Sequence, residues 1–152
     1  MIYFLLDNIR SRFNVGAIFR SAEFFAIDRI ILTGFTPLPD SIEVSKTAIG
    51  AEKRVDWQYY EDPILAVQDL KQKGFYCLAA EINPRASSLY NFCAQSKRDY
   101  LVVLGNEIQG VNPEIEKLMD EVLMIPKCGD LKESLNVEVS AGIFMSYLRQ
   151  GK

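Results

Sequence analysis

Asn14 and Arg20 are the first residues of the chain whose types and spacing could carry chemistry. The amide of Asn14 donates and accepts hydrogen bonds, and the planar guanidinium of Arg20 can bind phosphate through two parallel hydrogen bonds. Apolar residues recur at helical spacing through the stretch Ile9–Phe25, and Arg20 lies off that apolar stripe. A structural role is the alternative, in which Asn14 caps the helix and Arg20 is a solvated arginine near Glu23.

Glu107 lies in a glycine-flanked turn directly after an apolar run. The run Tyr100–Leu104 predicts a buried strand, so the turn from Gly105 to Gly110 falls at the carboxyl edge of a sheet, where α/β folds bind ligands. This turn lacks the Lys-Ser/Thr of a P-loop and the glycine spacing of a dinucleotide fingerprint, which excludes both kinds of nucleotide site. Glu107 is therefore either the carboxylate of a site or a turn acid that caps a helix near Pro113.

Ser134 and Asn136 lie where a loop containing proline and glycine leads from a predicted strand at Val122–Ile125 into the last helix. The helix is indicated by apolar residues that recur at helical spacing as far as Leu148. The first turn of a helix has unsatisfied backbone N–H groups, so small polar side chains there could help to hold the oxygens of a ligand. In the alternative, Ser134 or Asn136 only caps the helix.

The residue types that are missing limit the possible chemistry. The chain has no histidine, which removes the commonest general base, nucleophile activator and metal ligand. Cys77, Cys93 and Cys128 are odd in number and form no CxxC pair, so we expect reduced thiols and neither a disulfide framework nor a zinc site. The net charge of −3 argues against a uniformly basic nucleic-acid binder but leaves room for a local basic patch.

Strand-like and helix-like patterns alternate along the chain, which is typical of an α/β fold with a parallel sheet. With 152 residues and 49% hydrophobic content, one domain over residues 1–152 is expected. No apolar run approaches the roughly 18 residues of a membrane span, and no signal-peptide pattern is present, so we predict a cytoplasmic location and no membrane partner. The apolar runs predict six strands, at Ile2–Leu6, Arg29–Thr33, Val55–Tyr59, Phe75–Ala80, Tyr100–Leu104 and Val122–Ile125. A polar loop is predicted at Asn83–Ser88. Helices are predicted to begin near Asn14, Val44, Pro63, Pro113 and Ser134.

Three stretches stand in an order that resembles the three motifs of SpoU-type (TrmH-like) RNA 2′-O-ribose methyltransferases of the SPOUT class. They are Asn14-x-Gly-x-x-x-Arg20, then Leu104-Gly-Asn-Glu-Ile-Gln-Gly110, then Ile125-Pro followed by Ser134-Leu-Asn136-Val. The stretch Ser45-Lys-Thr-Ala-Ile-Gly-Ala51 is similar to a further segment of these enzymes. Each motif alone is weakly specific, but together and in this order they extend the resemblance over essentially the whole chain.

The resemblance implies a fold and a reaction. The expected fold is a single-domain SPOUT-type α/β fold with a mostly parallel sheet and a C-terminal deep trefoil knot, an exception to the near-absence of knots in proteins. The expected reaction transfers a methyl group from S-adenosylmethionine to a ribose 2′-hydroxyl of tRNA or rRNA, without a metal, in a homodimer whose RNA site lies at the subunit junction. Two alternatives are a catalytically inactive knotted RNA-binding protein and a SPOUT-class base methyltransferase.

The resemblance also implies roles for individual residues. Arg20 is expected to grip an RNA phosphate and stabilise the alkoxide, because arginine is almost always protonated; its action as the base stays open. Asn14 and Asn136 would orient Arg20 and the cofactor. Glu107 would hold the turn at Asn14. The implied sets are Asn14, Arg20, Glu107, Ser134 and Asn136 for catalysis, Ala80, Leu104, Gly105, Ile125, Pro126, Ser134 and Leu135 for the cofactor, and Arg10, Arg12, Arg20 and Lys46 for RNA.

Overall fold

One parallel sheet of seven strands forms the centre of the computed structural model, which describes residues 1–150. The strands are β1 (Ile2–Asp7), β2 (Arg29–Thr33), β3 (Trp57–Tyr60), β4 (Tyr76–Ala80), β5 (Ser87–Ser88), β6 (Tyr100–Leu104) and β7 (Glu121–Met124). Their order across the sheet is β3-β2-β1-β6-β4-β7-β5, and all neighbours pair in parallel. The predicted α/β fold with a parallel sheet is confirmed.

Within residues 1–150, five α-helices cover the two faces of this sheet. They are α1 (Arg12–Phe24), α2 (Ile42–Ala48), α3 (Pro63–Gln72), α4 (Pro113–Glu116) and α5 (Val137–Gln150). Buried side chains of α1, α2 and α5 form a hydrophobic core on one face, and those of α3 and α4 form a second core on the other. In this part of the chain, no helix combines the length and the apolar character that crossing a membrane requires.

The central strands β1 and β6 lie side by side and are buried throughout. Their sequences are nearly continuous apolar runs because helices cover both faces of a parallel sheet. From β1 the chain continues to β2 and β3 on one side, whereas β4, β7 and β5 lie on the far side of β6. The direction of the crossovers therefore changes between β1 and β6, and the segments that follow these two strands meet at the carboxyl edge, where such sheets bind ligands.

Helix α1 begins at Arg12, earlier than predicted, because Ser11 caps it. The Oγ of Ser11 accepts a hydrogen bond from the backbone N–H of Asn14 at 3.2 Å. Asn14 lies inside the first turn, so the prediction that it caps the helix is wrong. Its side chain is consequently available for contacts outside the helix.

Helix α2 packs closely against α1 at Gly16. A Cβ at this position would overlap the hydroxyl of Thr47 and the carbonyl oxygen of Val44, so the glycine permits the close approach of α2. α2 starts at Ile42, slightly before the predicted start, because Ser41 caps it through a hydrogen bond from the N–H of Val44 (3.3 Å).

The last strand and the last helix are separated by a longer loop than predicted. β7 ends at Met124, and α5 begins only at Val137. The Oδ1 of Asn136 accepts a hydrogen bond from the N–H of Glu138 at 3.2 Å. Of the two predicted caps, Asn136 is confirmed, whereas Ser134 lies outside the helix.

Two further boundaries differ from the prediction. β3 begins at Trp57, because Val55 is buried in the core beside α1 and precedes the strand. The predicted polar loop Asn83–Ser88 ends in the short strand β5, which pairs with Leu123 and Met124 of β7. Such pairing depends on a segment distant in sequence, and a pair of serines does not signal it.

Candidate active site

A cavity of about 700 Å³ opens at the carboxyl edge of the sheet, where β4, β6 and β7 end. It lies between the segments 80–82, 104–110 and 123–125 and the segment 133–137, which leads into α5. Asn14 of α1 completes one wall. The site therefore depends on the change of crossover direction in the sheet, since that change brings the loop after β6 next to the turn after β1.

Most of the residues predicted for the site line this cavity. They are Asn14, Ala80, Leu104, Gly105, Glu107, Ile125, Ser134, Leu135 and Asn136. The residues predicted for the site that do not line it are Arg10, Arg12, Arg20, Lys46 and Pro126. The structure thus brings together four members of the predicted catalytic cluster and leaves Arg20 outside.

Glu107 connects the loop after β6 to the turn that precedes α1. Its carboxylate accepts hydrogen bonds from the backbone N–H groups of Arg10 (3.0 Å) and Ser11 (3.1 Å). The side-chain amide of Asn14 donates a further hydrogen bond at 3.3 Å. Partial burial opposes the negative charge, but these donors outweigh it and lower the pKa of Glu107 below its ordinary value of 4.5. The alternative role is excluded, because Asn112 caps α4.

Asn106 organises the same loop and was missed in the sequence. Its side chain donates a hydrogen bond to the carbonyl oxygen of Asn8 at 2.7 Å, which links the loop to the end of β1. Its Oδ1 accepts hydrogen bonds from the backbone N–H groups of Ile108 (2.9 Å) and Gln109 (3.1 Å). An asparagine that accepts from backbone groups just ahead of it is a common turn former, so the asparagine after Gly105 was the available signal.

Glu81 is a second residue that sequence reasoning missed. One carboxylate oxygen accepts a hydrogen bond from the N–H of Ile82, and the other accepts one from the N–H of Val111, both at 2.8 Å. Gly110 has a φ of 71°, and a Cβ there would overlap the Glu81 carboxylate. Glu81 therefore joins the end of β4 to the loop after β6, and its position directly after a predicted strand was its only signal.

The cavity has an apolar floor and a polar rim. Leu104, Leu123 and Phe144 form part of the floor and are almost completely buried. Ser134 and Asn136 lie on the exposed rim. This combination suits a ligand with a flat apolar part and several hydrogen-bonding groups.

Arg20 lies on the exposed surface of α1. In the part of the chain that the structure describes, no hydrogen bond or ion pair involves its side chain. The nearby Glu23 pairs instead with Arg54 at 3.7 Å. The other residues predicted to contact RNA, Arg10, Arg12 and Lys46, are exposed as well.

All three cysteines are free thiols, as predicted. Burial raises the pKa of the Cys77 thiol to about 12, so this buried cysteine stays protonated and unreactive. Among residues 1–150, no group of three or more Cys, Asp or Glu side chains is arranged to hold a metal ion.

The model of the SpoU rRNA methylase family matches residues 1–146. A tRNA/rRNA methyltransferase of Borreliella burgdorferi, described as uncharacterized, is 32% identical over 96% of this chain and 62% of its own length. A tRNA (guanosine(18)-2′-O)-methyltransferase of Aquifex aeolicus is 26% identical over 91% of this chain and 64% of its own.

An AdoMet-bound rRNA methyltransferase from Sinorhizobium meliloti has the same fold. It matches 98% of this chain and 56% of its own with a TM-score of 0.91, at 23% identity. The chain therefore spans less than two thirds of the length of each of these proteins.

Proposed function

Because the chain belongs to the SpoU rRNA methylase family, we propose that it transfers a methyl group from S-adenosylmethionine to the 2′-hydroxyl of a ribose in tRNA or rRNA. The observation that carries this proposal is the cavity in which Asn14, Glu107, Ser134 and Asn136 converge. Transfer to ribose is favoured over transfer to a base because the similar Aquifex enzyme is named as a 2′-O-methyltransferase.

The cavity suits S-adenosylmethionine in its shape and chemistry. The apolar floor formed by Leu104, Leu123 and Phe144 can take an adenine ring. The hydroxyl of Ser134 and the amide of Asn136 can hydrogen-bond the polar parts of the molecule. The cofactor supplies a methyl group activated by a sulfonium sulfur, so the protein needs to position that group and the ribose oxygen.

In the proposed mechanism, Arg20 acts on the RNA and not on the cofactor. The reaction requires the 2′ oxygen in line with the methyl group and removal of the hydroxyl proton as the new bond forms. The chain has no histidine to take this proton. The RNA's own phosphate takes this proton, while the planar guanidinium of Arg20 grips the phosphate and stabilises the developing negative charge on the oxygen. In the alternative mechanism, Arg20 itself takes the proton.

The proposed active unit is a homodimer in which Arg20 completes the cavity of the partner. Arg20 does not line the cavity of its own chain, and it shares an exposed face of α1 with Phe13 and Phe24. These phenylalanines are 57% and 79% exposed. A second copy that covers this face would remove their rings from water and hold Arg20 at the junction of the two chains. A groove of about 480 Å³ between α1 and α5 offers further room for that copy.

The RNA contacts proposed for Arg10, Arg12 and Lys46 form a local basic patch on an acidic chain. Arg10 and Arg12 flank the cap of α1, directly beside the hydrogen bonds to Glu107. Lys46 belongs to α2, which packs against α1. Exposed cations near the cavity would neutralise RNA phosphates and guide the strand to the site.

We also infer the C-terminal trefoil knot from the family. The segment after β7 lines the same cavity as the loop after β6, which supports an entangled path of the chain. Mechanical extension from both ends tests this inference. A knotted chain stops short of its full contour length by a constant amount, whereas an unknotted chain does not.

The proposed activity is tested with purified protein, tritium-labelled S-adenosylmethionine and RNA from cells that lack the gene. Label in nuclease-resistant dinucleotides indicates ribose methylation, and label on a free base indicates a base methyltransferase. RNA binding without labelling indicates the inactive RNA-binding protein. Asn14→Ala is the control that should lose labelling.

The cytoplasmic location and the single domain over residues 1–152 stay predictions, and residues 151–152 lie outside the described part of the chain.

A further inference from the structure

Glu52 is a buried acidic residue that the proposed mechanism does not use. It is 9% exposed. Its Oε2 is buried and accepts no hydrogen bond from any residue within the described range 1–150. A buried carboxylate oxygen without a donor is costly, so natural proteins retain one mainly where a partner is supplied in some state of the molecule.

Glu52 lies in the segment that connects α2 to β3 and runs along α1. It belongs to the short 3₁₀ helix Ala51–Lys53. On one side of it, α2 touches α1 at Gly16. On the other side, Arg54 pairs with Glu23 of α1 at 3.7 Å. The segment with Glu52 therefore crosses the part of α1 that lies between Gly16 and Glu23.

Arg20 occupies that part of α1. It follows Gly16 by four residues and precedes Glu23 by three, so all three lie on one side of the helix. Arg20 is exposed and unpaired within the described residues, so its long side chain is free to turn toward the 3₁₀ helix. Of the other cations near Glu52, Arg54 is paired with Glu23, and Lys53 is exposed like Arg20 but lacks the planar fork that suits a carboxylate.

We propose that Glu52 is the positioning residue for Arg20 in the assembled dimer, an inference that rests on the proposed function. When the second copy covers this face, the guanidinium of Arg20 loses its contact with water, and pairing with the carboxylate that is already buried and lacks a donor satisfies both groups. A carboxylate binds one edge of the arginine fork and leaves the other edge free. Glu52 thus orients Arg20 toward the RNA, which assigns Arg20 an electrostatic role on the phosphate.

The first test replaces the carboxylate with an amide of the same shape. Glu52→Gln should lower kcat by about tenfold or more, because the arginine loses its orientation, while the dissociation constant of S-adenosylmethionine changes less than twofold. At a protein concentration at which the dimer persists, the unfolding midpoint should fall, because Arg20 loses the carboxylate that pairs with it. Glu43→Gln is the matched control, an exposed carboxylate on α2, and it should leave both kcat and the midpoint unchanged. A wild-type kcat in Glu52→Gln overturns the proposal.

The second test measures the coupling of the two residues and does not depend on activity. Arg20→Gln, Glu52→Gln and the double variant are unfolded in urea at a protein concentration at which the dimer persists. If the effect of the double variant on the unfolding equilibrium constant differs by about tenfold or more from the product of the two single effects, the two side chains interact, which supports the proposed pair. If the double variant shows only the combined single effects, the proposal is overturned. If the wild type methylates no RNA, the proposed function fails while this cycle still decides whether Glu52 holds Arg20.

Discussion

At the residue scale, Glu107 holds together two segments that are far apart in the chain. Its carboxylate accepts hydrogen bonds from the backbone of Arg10 and Ser11 and from the side chain of Asn14. Three positions at the start of α1 therefore depend on one charge. The lowered pKa of Glu107 is the energetic signature of that arrangement, because its donors favour the ionised form.

Glu107→Gln should destabilise the protein by roughly 0.5–1 kcal/mol at neutral pH, since an amide cannot accept from every donor and exposure to water limits the loss. The pKa of Glu107 is lowered on folding, so its contribution is present above the ordinary value of 4.5 and is lost as the pH falls through the lower folded value. Urea unfolding of both proteins should therefore differ at neutral pH and converge in acid. Glu114→Gln, at an exposed pair with Lys117, should show little difference at any pH. A gap that is constant with pH would contradict the assignment.

Arg20 is the residue whose role most needs a direct measurement. Arg20→Ala should leave the affinity for S-adenosylmethionine within a few-fold and reduce turnover by about 10² or more, the usual scale for a positioned electrostatic group. Isothermal titration and single-turnover methylation measure the two effects separately. Arg20→Lys keeps the charge without the planar fork, so its activity distinguishes charge from geometry. Normal turnover in Arg20→Ala would mean that Arg20 is only a solvated surface residue.

At the scale of elements, the position of α1 depends on its contact with α2. α2 lies so close to α1 that any side chain at Gly16 would overlap Thr47 and the backbone of Val44. The same contact fixes the path of the following 3₁₀ helix and therefore the place of Glu52 relative to Arg20. A glycine near the start of α1 thus sets the geometry of residues on two elements.

Gly16→Ala should destabilise the protein by about 1–3 kcal/mol, because the added methyl group forces α1 and α2 apart. The matched control is Gly142→Ala in α5, where the nearest atom to a new Cβ is the Ser21 Oγ at 3.8 Å. That substitution should stabilise by up to about 1 kcal/mol through helix propensity alone. Urea unfolding of both variants, with dimer content checked by sedimentation, measures the contrast. Equal effects would show that α1 and α2 are not tightly packed at Gly16.

At the scale of the whole molecule, the cavity and the exposed face of α1 lie on different parts of one chain. The cavity contains Asn14, whereas Arg20 and Phe24 lie outside it. A single chain therefore presents an incomplete set of the proposed catalytic residues. The proposed symmetric pair of chains would resolve this, because each copy could supply the missing arginine to the other.

Phe24→Glu should shift the protein from dimer to monomer, because it places a charge in the proposed apolar contact. Methyl transfer should fall with the dimer fraction and return at high protein concentration. Leu65→Glu is the control, because Leu65 is also exposed, at 58%, but lies on α3 at the opposite face of the sheet. Sedimentation velocity and a concentration series of the methylation assay provide the measurements. A wild type that is a fully active monomer would remove the shared-site proposal.

The sequence by itself determined the sheet, the order of its elements and the family. Buried parallel strands such as Tyr100–Leu104 are continuous apolar runs in the sequence, and prolines and glycines end helices through local effects on the backbone. Strands and helix ends can therefore be predicted without a structure. The motifs could be recognised for the same reason, because Asn14, Glu107 and Asn136 lie within a few residues, along the sequence, of glycines, prolines or apolar runs. Even the contact between Glu107 and the Asn14 turn was an expectation that the family resemblance implied.

Only the tertiary structure decided which of these residues meet and which remain apart. The choice of Ser11 over Asn14 as a cap, and the hydrogen bonds of Glu81 and Asn106, depend on partners that the local sequence does not identify. The same holds for the burial of Glu52, a charged residue in a polar stretch. Hydrogen bonding and burial are properties of three-dimensional neighbours, and those neighbours are set by the crossovers of the sheet. That is why the chain's pattern predicts its elements but not that Arg20 lies outside the cavity of its own chain.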